Sequence, residues 1–96
     1  MADLELELRR LEILRILNED AGYRKNLRLI QRILELRGLT VSGDRLAADL
    51  AWLAEMGLAE TDAQSGILVA RLTERGADVC LGRTRVPGVA RPGPGG

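Results

Sequence analysis

Apolar residues recur at helical spacing over most of the chain and change once to strand-like runs, between residues 58 and 72. In the first segment, Leu4, Leu8 and Leu11 form one stripe of a helical wheel. Leu6, Ile13 and Leu17 lie roughly opposite, at about 100° per residue. Asp3 serves as N-cap for this first helix, which runs to about Asn18. One stripe packs on the domain core, and the other needs a second cover, for which another copy of the chain is the simplest choice. A helix buried on both sides in its own domain fits the same pattern, and the Leu-Glu alternation of residues 4–8 also fits a short strand.

Asn18 to Gly22 is turn chemistry. Asn26 caps a second helix, Leu27 to Arg37, which Gly38 closes. Leu39-Thr-Val-Ser42 forms the next turn, with Ser42 capping a third helix from Gly43 to Met56. Leu46, Leu50 and Leu53 point inward from it; Asp44, Ala48, Ala51 and Glu55 point outward. Trp52 and Met56 stand one turn apart on its flank. Leu58 to Thr61 and Ile67 to Leu72 read as two strands joined by a five-residue loop, Asp62 to Gly66. Thr73 caps a last short helix reaching about Leu81, and Gly82 ends it. The predicted architecture is mainly α with a small β-hairpin, a winged helix-turn-helix. It comprises one domain over residues 1–82, with an N-terminal dimerisation helix, and a Pro/Gly-rich tail over residues 83–96. All three prolines fall in that tail, which reads as extended and docked on a neighbour through Val86 and Val89.

The 96-residue length allows one modest core, and with two aromatics that core is Leu, Ile, Val and Ala. Fourteen basic residues balance fourteen acidic ones, but the balance is local. Residues 1–20 carry 3 basic and 6 acidic side chains (−3), residues 21–42 carry 5 and 1 (+4), residues 43–66 carry 1 and 5 (−4), and residues 67–96 carry 5 and 2 (+3). One cysteine, Cys80, and no histidine preclude an internal disulfide or a multi-ligand metal site built from thiolates and imidazoles. The same absences remove the usual acid–base and nucleophilic groups, so an enzyme is the least expected class. Neither a cofactor nor a metal is expected. No apolar run approaches membrane-spanning length, which gives a cytoplasmic protein with no membrane partner as the expectation.

Ala51-Trp-Leu-Ala-Glu-Met-Gly-Leu58, the Arg71-Leu-Thr-Glu-Arg-Gly76 step after the hairpin, and the closing Val86-Pro-Gly-Val-Ala-Arg-Pro run resemble the small winged-helix proteins of Mu-like prophages, often labelled ArsR-type regulators. The resemblance covers the chain from about Leu27 onward. It implies a phage or prophage origin and a DNA-binding, regulatory role. The metal sensing that the label also implies lacks ligands here.

Double-stranded DNA is therefore the leading partner. Arg45, at the start of the third helix, is the candidate for base edges; Arg24, Lys25, Arg28 and Arg32 are candidates for phosphates, and Arg71 extends the basic surface beside the wing. A basic cluster of this kind is equally what a solvated helix face looks like. The alternative function is a non-enzymatic protein-interaction or assembly adaptor docking on a phage or host protein. Its surface, and that of a homodimer, would use Leu6, Ile13, Leu17, Trp52 and Met56. Trp52 also fits a place in the domain's own core beside the first helix.

Overall fold

The computed structural model describes residues 2–93, with side chains from Leu4 onward. The chain is mixed α/β. Its elements are α1 (Ala2–Glu19), β1 (Arg24–Asn26), α2 (Leu27–Leu36), α3 (Gly43–Glu55), β2 (Ala59–Gln64), β3 (Ile67–Leu72) and α4 (Glu74–Cys80). Helix α1 starts at Ala2, and the proposed capping side chain of Asp3 lies outside the described residues.

Local chemistry explains the helix ends. Asn26 Oδ1 accepts from Leu29 N at 2.9 Å, Ser42 Oγ from Arg45 N at 3.1 Å and Thr73 Oγ1 from Gly76 N at 3.0 Å. Each satisfies an amide that the first helical turn leaves unpaired. Gly38, Gly57 and Gly82 all adopt positive φ just past a helix. After each, the next amide reaches back five residues: Leu39 to Leu34 O, Leu58 to Leu53 O and Arg83 to Asp78 O.

The sheet corrects the expectation of a lone hairpin. It has three antiparallel strands in the order β1-β3-β2, with Arg24 opposite Arg71, and Ala59 and Gln64 opposite Leu72 and Ile67. Strand β1 is three polar residues without alternation, so only its partner β3 defines it. The hairpin loop is two residues, Ser65 and Gly66, rather than five. Both have positive φ (52° and 79°), as a tight turn matching the strand twist requires, and this lets β2 extend through Gln64.

Helix α1 is the centre of the core. Leu11, Ile13, Leu14, Ile16 and Leu17 are all buried, because α2, α4 and β3 pack on different sides of the helix. The stripe of Ile13 and Leu17 is thus covered within one chain, whereas in the other stripe Leu11 is buried and Leu4 and Leu8 stay exposed. Residues after α4 join the same body. Val86 and Val89 are buried in the core cluster, Ala90 N donates to Glu7 O at 3.2 Å, and Arg10 Nη1 donates to Gly88 O at 3.1 Å. The expected docking on a neighbour is replaced by a strap across α1, since the nearest apolar surface for these valines is their own domain. No helix among the described residues is long and apolar enough to cross a membrane.

Candidate functional site

Two grooves flank α3. The first, about 340 Å³, is lined by Arg28 and Gln31 of α2, by Gly43, Asp44 and Ala47 at the start of α3, and by Gly66 to Leu68 at the hairpin. Gln31 Nε2 donates to Val41 O at 2.9 Å, fixing the inter-helix turn against α2. Arg28 is exposed and forms no ion pair among the described residues. Arg32 lies in the neighbouring depression and holds Glu35 at 3.0 Å, both side chains being exposed.

The other predicted cations are not gathered there. Arg24 and Arg71 are directly opposed across β1 and β3, so they share a face of the sheet, and Arg71 Nη2 holds Glu60 at 2.8 Å. Lys25 belongs to the opposite face and its Nζ donates to Asp20 Oδ1 at 3.0 Å. This bond, followed by the amide of Gly22, holds the Asp20 carboxyl below its ordinary value of 3.8. Arg45 is exposed at the first turn of α3 and lines the second groove. The six residues thus occupy four places, and Lys25, Arg32 and Arg71 already hold carboxylates.

The second groove, about 600 Å³, runs between the first half of α1 and the outward side of α3. On its floor Arg9 Nε donates to Asp49 Oδ2 at 2.5 Å, with both side chains buried. Arg10 lies beside the same carboxylate, its Nε 3.9 Å from Asp49 Oδ1, and stacks its guanidinium 3.9 Å from the centre of the Trp52 ring. Gly88 meets the Trp52 ring as well. A Cβ built on it would lie 2.7 Å from the ring carbons, so only glycine allows the strap this close.

These contacts revise the predicted partner surface. Ile13 and Leu17 are fully buried in the chain's own core, so neither is available to a second protein. Leu6 is half-buried and forms a wall of the second groove. Trp52 is held by Arg10 and Gly88, the own-core placement beside α1. Met56, half-buried, caps α3, and its carbonyl accepts from Arg75 Nε at 3.2 Å. The Arg9–Asp49–Arg10 cluster was not singled out from the sequence. Its signal was present: Asp49 interrupts the inward stripe of Leu46, Leu50 and Leu53, where an acid needs a buried cation.

The sequence is 42% identical over 92 residues to uncharacterized protein gp26 of Escherichia phage Mu, a match covering 96% of this chain and 95% of the relative. The chain belongs to the phage Mu gp26 family. An uncharacterized protein of Haemophilus influenzae (strain ATCC 51907 / DSM 11121 / KW20 / Rd) is 40% identical to this chain over 67 residues, 69% of this chain and 65% of that protein. No protein-family model and no solved structure matches the chain. With 92 aligned positions out of 96 residues, the gp26 match extends over nearly all the elements that build both grooves.

Proposed function

We propose that this gp26-family protein is a winged helix-turn-helix protein that binds double-stranded DNA and regulates phage transcription in the bacterial cytoplasm. The observation that carries this reading is the convergence of α2, the start of α3 and the hairpin on one groove, with Arg28 free of any ion pair among the described residues. In this arrangement α3 is the helix offered to the major groove and the β2–β3 hairpin is the wing. Arg24, Arg28 and Arg45 are the predicted cations with no carboxylate partner among the described residues. With Arg45 at base edges, the two phosphate contacts of Arg24 and Arg28 per protomer give an affinity that falls about 12-fold between about 50 and 200 mM salt. Fluorescence anisotropy of a labelled duplex measures that slope. Arg28→Ala should flatten it by about one contact. Absence of binding at the lower salt would remove the DNA reading.

One observation favours the protein-interaction alternative. Leu29 and Leu36 of α2 are exposed, with half-buried Ile33 between them, forming a stripe of i, i+4, i+7 spacing. With Ile13 and Leu17 enclosed, this stripe is where a second copy or a phage or host protein would dock. Sedimentation velocity of the protein and of Leu36→Glu tests it: a concentration-dependent dimer lost in the variant is the expected result, and a monomer at all concentrations removes the homodimer.

A further inference from the structure

The floor of the α1–α3 groove carries more buried positive charge than the fold neutralises. Two guanidiniums, Arg9 and Arg10, share the single carboxylate of Asp49. The Arg9 side chain is 7% exposed and donates only its Nε to Asp49. Its buried Nη2 has no hydrogen-bond partner among the described residues, and neither has Arg10 Nε. Arg10 Nη1 is already committed to Gly88 O. A buried cationic donor without an acceptor is a strong local demand for an anion.

The surroundings narrow which anion. Leu6, Ala48, Ala51 and Trp52 make the walls apolar and, at the two alanines, shallow enough for close approach. Arg45 on the rim is offset by Glu5 and Glu55. Those two carboxylates oppose a polyanion such as a run of phosphates, whereas a single carboxylate reaching the floor meets only Asp49, itself held between two arginines. The groove volume of about 600 Å³ suits a small ligand or a few residues of peptide.

We propose that this groove binds a carboxylate carried on a short apolar body, with the carboxylate drawn to the Arg9 and Arg10 guanidiniums that line the floor and the apolar part lying along Ala48, Ala51 and Trp52. The same chemistry is presented by a free apolar acid and by an acidic residue within an apolar peptide. The proposal does not rest on duplex binding, with which this groove shares only the rim residue Arg45.

Trp52 is the chain's one tryptophan, so its emission reports occupancy of the groove directly. The full-length protein is titrated with hexanoate, with hexanamide, and with a capped peptide bearing one glutamate among alanines and leucines. Hexanoate should change the emission saturably, and the amide, lacking the charge, should bind about tenfold more weakly or worse. Tighter binding of the peptide than of hexanoate assigns the site to a protein segment; weaker binding assigns it to a free acid. Ala48→Leu, at an exposed position, should abolish the response while leaving the unfolding midpoint unchanged. Arg9→Lys, which keeps a cation beside Asp49 but removes the planar fork, should weaken the acid and not the amide. Equal binding of acid and amide, no response to hexanoate, or a response retained in Ala48→Leu would each overturn the proposal.

Discussion

At the scale of single residues, the decisive positions are those where charge or bulk has no room to adjust. Asp49 is one. Its carboxylate is the counter-ion of buried Arg9 and lies beside Arg10. Asp49→Asn would leave both guanidiniums uncompensated and should cost about 3–5 kcal/mol in urea unfolding, whereas replacing the pair together by Arg9→Met and Asp49→Leu should recover most of that loss. A single variant within about 0.5 kcal/mol of the parent would show that the pair is not ionic in the folded protein. Gly76 is the second. A Cβ there would stand 2.0 Å from Leu58 O and 2.8 Å from Leu72 Cδ1. Helix α4 cannot retreat without releasing Thr73, whose amide donates to Leu58 O and whose hydroxyl donates to Gly57 O. Gly76→Ala should therefore lower stability by about 3 kcal/mol, and an unchanged denaturation midpoint would refute the close approach. Cys80, by contrast, is buried and its thiol is pushed up by that burial, which makes it a packing residue.

At the scale of elements, caps and stop signals were legible because they act within four or five residues. Asn26, Ser42 and Thr73 each hold the amide three positions on, as their place before a helix predicts. Strand β1 was not legible, since its three polar residues become a strand only where β3 lies beside them. The role of α1 was legible only as two alternatives. Two apolar stripes require cover on two sides, but spacing cannot say whether a second chain or α2, α4 and β3 supply it. The strap is the other element that composition concealed. Prolines and glycines exclude regular structure, yet they do not prevent Val86 and Val89 from being buried. Val89→Asp should place an unpaired carboxylate against the core, lower stability by about 3 kcal/mol and shift Trp52 emission to the red as Gly88 lifts from the ring. Emission unchanged from the parent would mean that the strap does not cover Trp52 in solution.

At the scale of the whole molecule, the alternating charge of the sequence is largely an internal affair. Part of the positive segment 21–42 lies against the acidic first segment. Arg37 bridges Glu12 and Glu19, whose hydrogen bonds raise its already high pKa, and Lys25 holds Asp20. The free positive surface is accordingly smaller than the residue count implied, and under the proposed DNA reading a shallow salt slope is expected. The strap belongs to the same body as the helices, and the Cα radius of gyration of 12.1 Å is close to the roughly 12 Å expected for a single domain of this length. Heating should give one transition, with Trp52 emission and far-ultraviolet ellipticity superimposed and an enthalpy of about 60–70 kcal/mol. Two separated transitions would show that the strap, α1 and α3 do not unfold as one unit.

The sequence by itself determined the helices, their ends, the hairpin and the absence of thiolate–imidazole chemistry, because periodicity, capping and residue inventory are properties of neighbours along the chain. Only the tertiary structure decided which stripe of α1 is covered, that Ile13 and Leu17 face inward, and that Trp52 is held between Arg10 and Gly88. It likewise decided that Arg9 and Asp49, forty residues apart, meet in a buried pair. Those outcomes depend on which surfaces meet between segments distant in sequence, and burial and charge pairing are properties of that meeting rather than of either segment alone.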